Sequence, residues 1–167
     1  HGEVVSVVDA TLMMSSERVG GVDHPRTLNI VGAATVILAI TTLLGFWRRW
    51  KHVPETTTDG RRAAAAGVVS AVIVLFYTAL LAVSLASVAG MARNEWPEFP
   101  MPAVVATAWA GWGVAAAAVL VLVGLFHAWR GSRWGWFRRL HYSAFALALT
   151  ACAWLLWHWK FYGAPLV

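Results

Sequence analysis

The stretch LNIVGAATVILAITTLLGFW, Leu28 to Trp47, is twenty residues long and contains no ionisable side chain. An α-helix rises 1.5 Å per residue, so about 20 apolar residues cross the roughly 30 Å of hydrocarbon in a bilayer. Three more segments share this character: about 63–90, about 102–129 with Pro102 suited to a first helical turn, and about 140–159, the shortest. None alternates with a period of two, which excludes a β-barrel reading. The expected fold is therefore all-α and integral to the membrane, a four-helix transmembrane bundle.

Composition agrees. Of 167 residues, 59% are hydrophobic and 13% charged, whereas soluble domains carry about 25% charged residues. That deficit excludes a disordered segment, a disulfide scaffold and an ordinary soluble enzyme. The formal charge of +5 does not point to nucleic acid, because of where the charges lie. Arg48, Arg49, Lys51, Arg61 and Arg62 fall in the first connection, and Arg130, Arg133, Arg138 and Arg139 in the last, nine of the thirteen basic residues. Cytoplasmic loops concentrate Lys and Arg. Both termini are thus expected outside, and the basic loops serve as topology signals and lipid-headgroup contacts. Trp47, Trp50, Trp129, Trp134, Trp136, Trp157, Trp159 and Tyr162 bracket the spans at headgroup depth, whereas Trp109 and Trp112 are expected deeper, packed on other helices.

Helices in lipid associate through small residues at four-residue spacing. Gly111 with Ala115, Gly113 with Ala117, Ala66 with Ser70, and the run Gly32, Ala33 and Ala34 are candidates. Residues 1–27 differ from the rest. Val4 to Val8 and Thr11 to Met14 read as two short β-forming runs separated by Asp9 and Ala10. A lone hairpin is marginal in water, and the chain begins at His1 rather than Met. The expectation is an extracytoplasmic tail of an upstream β-rich segment and linker (1–27), followed by a four-span membrane domain (28–163). A disordered leader is the alternative.

No charged residue falls in the apolar core of a span, which argues against a pump, an ion-coupled transporter or an intramembrane protease. No nucleophile–base motif, phosphate loop or metal-ligand motif occurs, so no catalytic or metal site is expected, and no cofactor. Cys152 stands alone. His127 ends the third span and His141 opens the fourth, at a shared depth. Two helical histidines can ligate a haem axially, so a b-type electron-transfer module is one alternative. Two interfacial histidines hydrogen-bonding their neighbours is the other, with His141 reaching the third helix near His127 and Tyr142 lying at the interface. His158 lies ~25 Å from His141 along a helix, and no other histidine shares its depth within a span, since His1 and His24, on that side, both lie outside the spans.

The run from Trp134 through Arg139-Leu140-His141-Tyr142 to Trp157-His158-Trp159 and Gly163 resembles the C-terminal membrane region of bacterial β-lactamase-related, penicillin-binding-protein-like (class C type) serine hydrolases. In that class the last helix opens with an Arg-Leu-His-Tyr-like run and closes with an aromatic cluster and Gly. Gly2-Glu3-Val4-Val5, Glu17-Arg18-Val19 and Pro25-Arg26 with Leu28-Asn29 are similar to the strand and linker that lead into its first span. The resemblance implies a bacterial cytoplasmic-membrane location and an upstream extracytoplasmic hydrolase domain as partner. The Ser-x-x-Lys, Tyr-x-Asn and Lys-Thr-Gly elements of that class are absent from this chain, so no catalytic residue carries over. The implied role is a membrane anchor without enzyme activity of its own. A stand-alone subunit packing on a membrane partner or a small lipophilic ligand remains open beside it.

Overall fold

The computed structural model describes residues 7–9, 14–16, 24–50, 57–90 and 102–162. Four helices dominate them: α1 (Pro25–Trp50), α2 (Thr58–Ala89), α3 (Pro102–Arg130) and α4 (Trp136–His158). All four are long and apolar enough to cross a membrane. They pack as a closed ring, α1 on α2, α2 on α3, α3 on α4 and α4 on α1, with the most extensive contact between α2 and α3. Ile30, Phe76, Val119 and Leu147 face outward from the ring and are more than half exposed. Helices that are apolar all round suit a lipid exterior. This is an all-α, multi-pass membrane bundle.

The helix ends differ from the expected spans for local chemical reasons. α2 starts at Thr58 rather than 63 because the Thr57 hydroxyl accepts the Gly60 N–H at 3.1 Å, and Asp59 sits in the first turn. Pro102 opens α3 as expected, and Pro25 does the same for α1. α4 begins at Trp136, so Arg138 and Arg139 occupy its first turns instead of a loop. Arg48 and Arg49 likewise end α1, and Arg130 ends α3. The basic residues lie mainly on helix ends, and the α3–α4 connection is only residues 131–135.

Before α1, β1 (Val7–Asp9) pairs antiparallel with β2 (Met14–Ser16), Val7 opposite Ser16 and Asp9 opposite Met14. The strands lie later in the chain than the sequence pattern suggests. Asp9 belongs to β1, and residues 10–13 connect the pair. Residues 1–6, 10–13, 17–23, 51–56, 91–101 and 163–167 lie outside the described set, including Lys51, Arg93 and part of the 1–27 segment.

The ends of the bundle are distinct. At one end α1 and α3 finish and α2 and α4 begin; it carries Arg48, Arg49, Arg61, Arg62, Arg130, Arg138 and Arg139 and is called the basic end below. Here Tyr142, 4% exposed, inserts from α4 between α2 and α3. A Cβ on Gly67 would lie 2.8 Å from its ring, and one on Gly124 would strike its hydroxyl and come within 2.8 Å of the Ala66 Cβ. Trp134 closes the seat, its ring edge-on to Tyr142 with centroids 5.6 Å apart. Neither aromatic lies at the interface as expected. Trp134 is buried too, with the Arg138 guanidinium stacked 3.5 Å above it.

Of the small-residue pairs, Ala66 and Ser70 do face a neighbour: the Ser70 hydroxyl donates to the Ala117 carbonyl at 3.0 Å. Gly113 meets Ile73, and Gly111 receives the Tyr162 ring. The Gly32 run behaves oppositely. Nothing lies within 4 Å of a Cβ placed on Gly32, and Ala33 and Ala34 are exposed. Trp109 also faces outward, at 58% exposed, whereas Trp112 packs one edge on Trp157 and Tyr162.

Replacing Gly124 by Ala is expected to cost about 1–3 kcal/mol, the usual scale for overpacking a tight seat. Tyr142→Phe alone should be neutral or mildly stabilising, because it removes a buried hydroxyl that has no partner. The double variant should recover part of the Gly124→Ala loss. Reversible unfolding in mixed micelles reads all three values.

Candidate functional site

At the basic end the two candidate histidines engage different helices. His127, near the end of α3, places Nδ1 2.9 Å from Oδ1 of Asp59 in the first turn of α2. A side chain on Gly131 would collide with that carboxylate, so the bare backbone just beyond α3 leaves room for the pair. Asp59 was not singled out from the sequence. Its signal was available: antiparallel helices bring the start of α2 beside the end of α3.

His141 turns the other way, toward α1. Its Nε2 is 3.3 Å from the Thr42 hydroxyl, and it shares a small cavity with Arg49, Trp134, Arg138 and Tyr142. The expected hydrogen bond to the third helix near His127 is replaced by this bond to the first. Thr42 also donates to the Leu38 carbonyl at 2.7 Å, so the His141 contact ties a fixed hydroxyl to α4. The cavity is about 30 Å³, enough for a water molecule or two. It does not include His127, and a haem macrocycle does not fit inside it. The geometry supports two positioning histidines, one joining α2 to α3 and one joining α1 to α4.

His158 stacks on Trp154 at the opposite end, with ring centroids 5.4 Å apart. His24 accepts the Arg26 N–H at 3.1 Å in the first turn of α1. His1 lies outside the described residues. Among the described residues no group of three or more His, Cys, Asp or Glu converges on a point.

The larger concavity lies toward the end opposite the basic one, a cavity of about 420 Å³ beside α1. Its α1 wall includes Asn29, Gly32, Ala33 and Thr35; Tyr77 and Thr78 are among those from α2, Val114 comes from α3, and Cys152 and Leu156 from α4. Its volume falls within the roughly 300–1,000 Å³ of small-molecule sites, which commonly lie between the helices of bundles. The Thr35 hydroxyl is spent on the Val31 and Ala148 carbonyls, and that of Thr78 on the Val74 carbonyl. The Tyr77 hydroxyl is buried and has no partner. Phe161 reaches the cavity mouth because Lys160 adopts a left-handed turn, φ 55°, that folds the chain back after α4. Tyr162 follows and donates its hydroxyl to the Ala153 carbonyl at 2.9 Å. Burial pushes its phenol up to about 12, so this donor keeps its proton through neutral pH. Sequence reading missed the cavity, although a lone Tyr in the apolar run of α2 and the unbranched Gly32-Ala33 step in α1 were its available signals.

No family model, no curated protein and no solved structure matches the chain. What the molecule does must therefore be argued from its own residues.

His141→Ala is expected to weaken the bundle by about 1 kcal/mol, the scale of one side-chain hydrogen bond in a membrane. The purified parent should show no Soret band. A Soret band that vanishes in the variant would instead make His141 a haem ligand.

Proposed function

We propose that this chain is the membrane anchor of a bacterial serine hydrolase of the β-lactamase-related, penicillin-binding-protein-like kind, holding an upstream catalytic domain at the outer face of the cytoplasmic membrane. One observation carries the reading. The basic residues gather where α1 meets α2 and where α3 meets α4. The positive-inside bias makes that end cytoplasmic. The start of α1, the β1–β2 ribbon before it and the end of α4 then belong to the extracytoplasmic side, where such a hydrolase domain works. The Arg139-Leu140-His141-Tyr142 run adds support, since it is the part of the chain most similar to that class.

In this role the helices perform no chemistry. Their task is to hold a fixed depth and resist extraction, and the bonds between helices serve both. Ser70 to Ala117, Thr35 to Ala148 and Ser84 to Ala103 each join two spans, in a solvent where a lost hydrogen bond finds no water to replace it. A stand-alone subunit is the second reading, and the cavity beside α1 is the feature that favours it.

Topology and activity are tested together. With Cys152 replaced, an impermeant thiol reagent on intact cells should label a cysteine at position 94 and not one at 132; the reverse pattern overturns the orientation. A fluorescent β-lactam should acylate the protein encoded with its upstream sequence and leave the isolated 167-residue chain unlabelled. Failure of the longer protein to react, or stoichiometric acylation of the isolated chain, would sink the anchor reading.

A further inference from the structure

Arg49 is a cation turned inward. It lies two residues past the apolar run Leu28 to Trp47, about 3 Å beyond the hydrocarbon edge, where a long basic side chain ordinarily reaches out to water. Side chains on a helix lean toward its N-terminus, and Gly45, one turn earlier, leaves the space. A Cβ on Gly45 would lie 3.0 Å from Nη2 of Arg49, and its three nearest neighbours would all be atoms of that guanidinium. The guanidinium therefore lies back over the span, in the small cavity it shares with Thr42, Phe46, Arg138 and His141. Its Nε is enclosed with no acceptor, which is costly for a cation that has lost its water. Of its three nitrogens only Nε is both enclosed and unmet, so the two Nη groups are the donors a ligand can reach. Asp59, the one carboxylate at this end among the described residues, is held by His127 on the α3 side of α2.

The surroundings select the occupant. Arg49, Arg138 and His141 are half-buried, so the cavity opens to the surface. Arg61 precedes Ala64 by three residues and Val68 by seven, and both line the cavity, so Arg61 shares their face of α2 one turn nearer the headgroups. Arg138, stacked 3.5 Å from the Trp134 ring, adds a charge from α4. Three helices thus place cations about one opening, which suits an anion. A guanidinium meets phosphate oxygens through two N–H groups at once. Space for a water molecule or two is space for one or two phosphate oxygens, with the rest of the head outside. At the hydrocarbon edge a lipid phosphate is already at hand, whereas a free phosphate ion would have to leave water. Among the described residues no free carboxylate stands at the opening to receive an ammonium, so a zwitterionic head gains less there than an anionic one.

We infer that this opening between α1, α2 and α4 is a binding site for the phosphate of one anionic phospholipid, with the Nη groups of Arg49 donating to its oxygens and Arg61 adding charge at the mouth. Gly45 is the positioning residue, because it lets Arg49 lie inward. The site differs from the diffuse headgroup contact of basic helix ends in being single and saturable. It requires only a bilayer around the basic end, on whichever side of the membrane that end lies, and is independent of the anchor reading.

The test uses the whole chain in micelles of an uncharged detergent, read by native mass spectrometry, with dioleoyl phosphatidylglycerol, dioleoyl phosphatidylcholine and glycerol phosphate as probes. Saturable retention of one phosphatidylglycerol, tighter than phosphatidylcholine and not displaced by glycerol phosphate, is the expected result. Arg49→Gln should weaken it about tenfold, the worth of one charge-assisted hydrogen bond. Gly45→Leu should weaken it too, since it displaces the guanidinium and leaves the net charge unchanged. Arg130→Gln removes the same charge from α3, which contributes no described residue to the lining, and should leave binding as it is. In lipid-free micelles Arg49→Gln should unfold no more readily than the parent; a loss of stability there would make Arg49 a structural residue and overturn the site. Equal retention of phosphatidylcholine, displacement by glycerol phosphate, an Arg130→Gln loss as large as that of Arg49→Gln, or indifference to both Arg49→Gln and Gly45→Leu would each overturn it as well.

Discussion

The bundle depends on the seat of one aromatic ring. In lipid no hydrophobic drive pushes helices together, so close approach has to come from shape and polar contacts. Tyr142 supplies the shape. It spans from α4 to both α2 and α3, and the absence of side chains at Gly67 and Gly124 lets it enter. α2 and α3 can close around it because the contact beside it is the small Ala66. Trp134, immediately before α4, packs edge-on to the same ring and carries Arg138 on its face. The basic end therefore combines the close seat of Tyr142 with a cluster of charged side chains. The two features share residues.

From that seat outward, contacts change character. Toward the basic end, polar links cross between helices, His127 with Asp59, His141 with Thr42 and Trp129 with Ser143, and Arg139 ties α4 to the Ser132 carbonyl of the connection before it. Through the middle, single hydroxyls bridge to backbone carbonyls, as Ser70 and Thr35 do. At the far end Ser84 joins Thr107 and the Ala103 carbonyl, and Tyr162 covers Gly111. α1 takes part through Thr42 and Thr35, both bonded to α4. It packs on α2 and α4, with Ala39 fully buried, while Gly32 and Ala33 face the cavity instead of a neighbour. The four helices therefore close as a ring, with the cavity beside α1 left toward the far end.

The spans were legible because the bilayer imposes a length and a polarity on any crossing helix, and α1 to α4 obey both. Their ends were less so. The start of α4 was displaced by Arg138 and Arg139, charged residues that a hydropathy argument leaves in a loop but that a helix accepts in its first turns where they reach the headgroups. Small-residue spacing identified Ala66 and Ser70 correctly and misjudged Gly32, because the same composition permits either a close helix or a void. The sequence pattern carries no information on which neighbour arrives. For the same reason the sequence could not show that His127 and His141, at the same end of the bundle, face different partners: rotation about the helix axis decides direction.

Rotation also separates the roles available to the two tyrosines buried within the spans. Both Tyr142 and Tyr77 have hydroxyls without partners, yet their surroundings differ. Tyr142 is enclosed by two glycine-bearing helices and Trp134, where an added Cβ already collides, so no ligand can approach its oxygen and the unpaired donor is the cost of a close-packed junction. Tyr77 forms part of the wall of open space of about 420 Å³. The Tyr77 hydroxyl is nevertheless as fully enclosed as that of Tyr142. Packing needs at the basic end account for the first hydroxyl. The second is buried as well, so Tyr77 lines the cavity without its hydroxyl being open to it.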